Sequence, residues 1–226
     1  MRNFWLLVSI AIVGADWAAS LTAYALGATV SSVGVRHLVI HFAVQVFVVS
    51  AIIWLLLRGS GERFADLGLG ARELRHALPN RDVWKAIGYV LMLEILIGSI
   101  HASGDAAMPR TPPPIASFFR DPGESPWWLL GSVLAGFGEE IERVFCLTRL
   151  EKGLGTVGLV LATVVHTVVF ALRHSYQGPG GVAAAALVGL VFTAVFLRSR
   201  RLADAVVAHG ISDLIGVALL YASWAR

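Results

Sequence analysis

The residues best able to do chemistry in this chain sit where water should be scarce. The segment GEEIER places Glu139, Glu140, Glu142 and Arg143 inside a long apolar run. On a helix Arg143 lies i+4 from Glu139 and i+3 from Glu140, so one arginine can hold one carboxylate while the other faces a cavity. A carboxylate left facing that cavity is a candidate general base. Further along, His166, Phe170 and His174 recur at i, i+4 and i+8 on one helical stripe, just before the break SYQGPGG. His209 and Asp213 are again i,i+4, so the carboxylate can orient the imidazole. Taken singly, each group has a plainer reading: ion-pair glue for the glutamates, interhelical hydrogen bonds for the histidines. A charge at the centre of a bilayer costs roughly 2.5–3.5 kcal/mol, which is a large cost for glue alone. Together the groups describe a water-filled site able to activate a water molecule. Asp16, His41, Glu94 and His101 are scattered as single residues through the earlier spans and read as helix–helix hydrogen-bonding residues.

Such residues need elements to position them, and composition says which. Of 226 residues, 57% are hydrophobic and 15% charged, with a mean hydropathy of +0.73. Soluble domains average roughly 25% charged residues, so a water-soluble, disordered or fibrous chain is excluded. The remaining class is all-α: a polytopic transmembrane helical bundle forming a single membrane-embedded domain over residues 1–226. The lone cysteine, Cys146, excludes a disulfide framework and a multi-cysteine metal site. Apolar runs of bilayer length fall at about 4–26, 37–57, 84–102, 127–149, 156–174, 180–198 and 203–223, about seven spans. The first has an arginine followed by an apolar core, as a signal peptide does, but it continues past Asp16 and is read as an uncleaved span.

Basic residues settle the orientation. Arg2, the arginines of residues 58–83, Lys85, Arg149, Lys152, Arg198, Arg200 and Arg201 share one side. Arg36, Arg110, Arg120, Arg173 and Arg226 share the other. The positive-inside rule then places the N-terminus in the cytoplasm of a multi-pass cell-membrane protein. The net charge of +3 belongs to these loops and does not call for nucleic acid. Within the cytoplasmic segment 58–83, Leu67, Leu74 and Leu78 recur at roughly helical spacing with arginines between them, which predicts a short amphipathic helix over Phe64–Leu78 on the membrane surface. Residues 103–126, with Pro112-Pro113-Pro114, read as a polyproline-like external loop.

The order Glu-Glu near an arginine, then Phe170-x-x-x-His174, then His209-x-x-x-Asp213 resembles the CPBP family of intramembrane proteases, which includes CAAX prenyl endopeptidases and bacterial Abi-type proteins. The similarity covers roughly 120–220 firmly, and FADLGLGAREL is similar to a segment often found upstream in that family. The resemblance implies a glutamate-dependent endopeptidase acting on membrane-associated, including prenylated, peptides or proteins. Glu139 or Glu140 would activate water, His174 would assist, and His209 with Asp213 would stabilise the oxyanion. Arg143 would complete the first motif. That motif is one residue shorter than the family's Glu-Glu-x-x-x-Arg, and one residue turns a side chain about 100° around a helix. Alignment through the arginine therefore leaves Glu139 in the second glutamate position, whereas alignment through GFGEE keeps both glutamates. No cofactor is expected. Two histidines and a glutamate would allow zinc, but the lack of His-Glu-x-x-His favours a metal-independent site. The alternative function is a catalytically inactive membrane scaffold or partner-binding protein on the same helices. If His174 and His209 share one site, the helix carrying Phe170 must end near His174, and residues 175–181 must dip into the protein.

Overall fold

The computed structural model describes residues 2–25, 35–104 and 122–224. The side chains of Asp16, His41 and His101, and the loop with Pro112-Pro113-Pro114, lie outside the described residues. The described chain is helical throughout: α1 (Arg2–Ala25), α2 (Val35–Gly59), α3 (Ala71–Ala77), α4 (Arg81–Gly104), α5 (Ser125–Arg173), α6 (Gly178–Ser199) and α7 (Leu202–Trp224). Among the described residues four helices, α2, α5, α6 and α7, are long and apolar enough to cross a membrane. Their outward faces stay apolar: Phe47 is 75% exposed and Val157 74%. Helices with apolar residues all round fit a lipid environment, where no outer polar face is required.

Helix α5 is 49 residues long but is not straight. Gly155 takes φ 63 and ψ −146, a conformation that side chains exclude. A Cβ on Gly158 would run into the carbonyl of Leu150, and Glu142 pairs with Arg173. Residues 125–154 and 156–173 therefore fold back as two antiparallel limbs, matching the two runs read from the sequence. This double helix is the hub: it packs on α1, α2, α6 and α7, and α4 closes the bundle against α6 and α7.

One end of the bundle collects the basic loops. Glu62 binds both Arg149 and Lys152. Arg200 forms a two-pronged pair with Glu151 at 2.6 and 3.0 Å. Arg198 meets Asp82 at 2.9 Å, and Asn80 donates to Asp204 at 2.9 Å. Arg36 lies at the opposite end, over the Trp127 ring at 5.7 Å.

One expectation needs correction. Residues 64–78 do not form one amphipathic helix. Phe64–Leu67 is a single 3₁₀ turn, Gly68 at φ 75 breaks it, and α3 begins at Ala71. Gly68 also passes close to the α6–α7 connection, since a Cβ there would sit 2.5 Å from the Cα of Arg201. Leu67 is consequently buried in the core, while Leu74 and Leu78 are 40% and 54% exposed. The helix carrying Phe170 ends at Arg173 with His174 as its cap, as the sequence leads one to expect. Ser175–Gln177 is a 3₁₀ turn, and α6 starts at once from Gly178 with proline in its first turn.

Candidate active site

The site forms where α5 and α7 nearly touch. A Cβ on Gly136 would lie 2.6 Å from the backbone nitrogen of Gly210, so only glycine allows the approach. One turn beyond Gly136 come Glu139 and Glu140. Directly across, next to Gly210, is His209. The close backbone crossing thus sets the glutamates against the imidazole.

Glu140 is fully buried and so is Arg143, whose Nη1 donates to Glu140 Oε1. His209 Nδ1 donates to the same oxygen at 2.8 Å. The other edge of the ring faces two more carboxylates: Nε2 is 3.5 Å from Glu139 Oε2 and 3.5 Å from Asp213 Oδ2. Those two are the accessible acids, with side chains 22% and 32% exposed, against 5% for His209. Aromatic rings enclose the polar groups. Phe192 stacks on His209 with centroids 4.4 Å apart. The Arg143 guanidinium lies 4.6 Å above Phe170. A low-dielectric wall of this kind strengthens each charge–charge interaction it surrounds.

The structure therefore brings Glu139, Glu140, Arg143, His209 and Asp213 into one cluster. His174 stands one ring away. Its Nδ1 is 2.8 Å from the carbonyl oxygen of Phe170, and its ring is 4.6 Å from that of Phe170, which in turn is 6.3 Å from His209. Glu142, the third acid of the motif, points the other way and pairs with Arg173 at 3.0 Å. About 200° of helix separates it from Glu140, as helix geometry requires. Among the described residues no three His, Cys, Asp or Glu side chains are placed to hold a metal ion.

Two members of the site escaped the sequence reading. Phe192 carries no polar atom, so nothing in its type marks it. Glu94 was read as a lone hydrogen-bonding residue, yet its carboxylate lies 3.8 Å from where a Cβ on Gly216 of α7 would be. It acts electrostatically on both Asp213 and His209. Its only signal was its isolation in YVLMLEILIG, and that does not reveal which helix lies opposite.

A helical bundle with membrane-length apolar helices is that of a membrane protein, and this one is built around a buried Arg–Glu–His network with a second, accessible glutamate beside it. Residues 121–215, which hold all of these groups except Glu94, match the family model described as type II CAAX prenyl endopeptidase Rce1-like. The segment that carries the site is thus similar to the CPBP/CAAX protease family. Neither the curated proteins nor the solved structures offer a match to the chain.

Proposed function

We propose that the protein is an intramembrane, glutamate-dependent endopeptidase of the CAAX type, cleaving membrane-associated and in particular prenylated substrates. One observation carries the reading: His209 is gripped by the buried Glu140 on one edge and presents its other edge between two accessible carboxylates. Both ring nitrogens face carboxylate oxygens, and only the imidazolium donates from both. Asp213 is better placed to hold that charge than to donate to an oxyanion.

Glu139 is the base in this reading, and Glu140 is a positioning residue. Glu140 already serves two donors and has no access to solvent, whereas Glu139 is partly open. Glu139 removes a proton from a water bound beside His209. The resulting hydroxide attacks the scissile carbonyl carbon, and the His209 Nε2–H stabilises the oxyanion. On collapse the C–N bond breaks, and the proton held by Glu139 passes to the leaving amine. His174, across Phe170, assists by orienting the water or the substrate backbone. The chain crosses the cell membrane seven times in this proposal, α5 contributing two spans, with the N-terminus cytoplasmic. The gathering of the basic loops at one end supports that orientation.

The test is cleavage of prenylated and unprenylated peptides by the purified protein, comparing wild type with His209→Ala. Losing one oxyanion donor costs about 10²–10³ in rate, so the variant should be nearly inactive. Its insertion and yield should stay near normal, because removing a buried imidazole makes its helix easier to insert. Equal rates for the two proteins would make His209 structural.

A further inference from the structure

One buried histidine has no part in the mechanism above. His166, on the second limb of α5, is 3% exposed. Neither of its ring nitrogens has a hydrogen-bond partner. Leaving a buried polar group unsatisfied is costly, and phenylalanine would fill the space without that cost. The position therefore calls for a reason to be histidine.

Its surroundings supply one. The imidazole stacks on Phe170, with centroids 6.4 Å apart and planes 28° apart. The Arg143 guanidinium packs on the same phenylalanine at 4.6 Å. Arg143 and Arg173 are the charged groups that act on His166. Arg143 spends Nη1 on Glu140, and its Nη2 is buried without a partner. Arginine has only donors, whereas a neutral imidazole keeps one nitrogen as an acceptor. An unpartnered cationic donor and an unpartnered acceptor thus share one aromatic ring, in a region that also contains the unpartnered Glu140 Oε2. Buried waters typically make about three hydrogen bonds to such groups.

We propose that His166 is a positioning residue for the protease site: as a neutral imidazole it accepts a hydrogen bond from Arg143 Nη2 through one buried water. That contact fixes the guanidinium over Phe170, so that Nη1 holds Glu140 and Glu140 holds His209 Nδ1. The chain of positioning runs His166, Arg143, Glu140, His209. It rests on the endopeptidase reading for its effect on rate, but the contact itself does not.

Two variants separate acceptor from shape, both made in the full-length protein. His166→Phe keeps a flat ring and removes the acceptor; His166→Gln restores an acceptor. Loss of a hydrogen bond to a charged group corresponds to about a tenfold change in rate. His166→Phe should therefore lower kcat about tenfold with KM little changed, and His166→Gln should recover most of the loss. Equal kcat for wild type and His166→Phe, or equal losses in both variants, would overturn the proposal. A stability cycle needs no activity. Arg143→Lys keeps a charge for Glu140 but lacks the second arm. His166→Phe should lower Tm in the wild-type background and much less in Arg143→Lys. The same shift in both backgrounds would overturn the contact. If Arg143→Lys does not fold, the comparison of Tm between the Phe and Gln variants decides, Gln being the more stable if the contact exists. A wild type that cleaves no peptide would defeat the endopeptidase reading while the Tm measurements still judged His166.

Discussion

Two arginines six positions apart on the same limb of α5 are both almost completely buried, and both bind a glutamate. Arg149, at the basic end, holds Glu62 from the α2–α3 connection, and Lys152 binds the same carboxylate. Arg143, mid-bundle, holds Glu140 one turn before it. The difference lies in what completes each pair. Glu62 is 18% exposed and shares its charge with a lysine that reaches solvent. Glu140 is wholly buried and shares its charge with His209. The first arrangement ties a loop to a helix end. The second turns an imidazole toward two accessible acids. Identical side-chain chemistry becomes an anchor or a candidate active site according to burial and the third partner.

The largest expected effect breaks the second pair. Removing one partner of a buried ion pair typically costs about 3–5 kcal/mol, because the other charge is stranded. Arg143→Ala should approach that figure and abolish cleavage. Arg149→Ala should cost clearly less, because Glu62 keeps Lys152 and some water, and cleavage per folded molecule should survive. Thermal unfolding in detergent combined with active-site-normalised rates tests the contrast. Equal losses of stability and activity in the two variants would erase it.

Next comes Glu139→Gln, which sharpens the division within the site. General-base catalysis contributes about 10²–10⁴ in rate, so kcat should fall by at least about a hundredfold. Tm should barely move, because Glu139 is partly exposed and holds no arginine. Glu140→Gln should do the reverse in order: instability first, with a smaller fall in kcat as His209 loses its hold. A stable, inactive Glu140 variant beside an active Glu139 variant would exchange the two roles.

The helix boundaries were legible because long apolar runs report directly on membrane-length helices, and the fold-back at Gly155 fell between two such runs. The i,i+4 logic also held locally: His209 and Asp213 share a face, and Arg143 selected Glu140 at i+3 over Glu139 at i+4. Sequence spacing could not say which helix faces which. That choice depends on small residues, here Gly136 against Gly210, and on apolar ones such as Phe192, and neither type advertises its partner. The surface helix was misread for a related reason. Leucine spacing across 64–78 looked continuous, but Gly68 ends the first turn and sends Leu67 inward against the basic end of the bundle.

Gly136 offers a mid-sized test of that crossing. Gly136→Ala places a methyl 2.6–2.7 Å from the backbone of Gly210, where no flexible side chain can yield. Overpacking typically costs about 1–3 kcal/mol. The site should suffer more than the fold, because a shift of a few tenths of an ångström between α5 and α7 lengthens the contacts of Glu139 and Glu140 to His209. A variant with lower Tm but unchanged kcat would show that the two helices can separate without disturbing the network.

The smallest effect tests the anchor end. Arg200 and Glu151 form a two-pronged pair, yet their side chains remain 51% and 31% exposed. Exposed pairs are worth about 0.2–1 kcal/mol, and ions screen such charges over about 8 Å at physiological salt. Glu151→Gln should therefore lower Tm only slightly, and the difference from wild type should shrink as salt is raised. The deficit of Arg143→Ala should persist across the same titration, because ions do not reach a fully buried carboxylate. Activity per folded molecule should be unchanged by Glu151→Gln, since the pair joins the α5 turn to the α6–α7 connection and touches nothing beside His209. A loss well above 1 kcal/mol that salt leaves intact would mean that the basic end behaves as a buried network, and the distinction between the two arginine pairs would then rest on His209 alone.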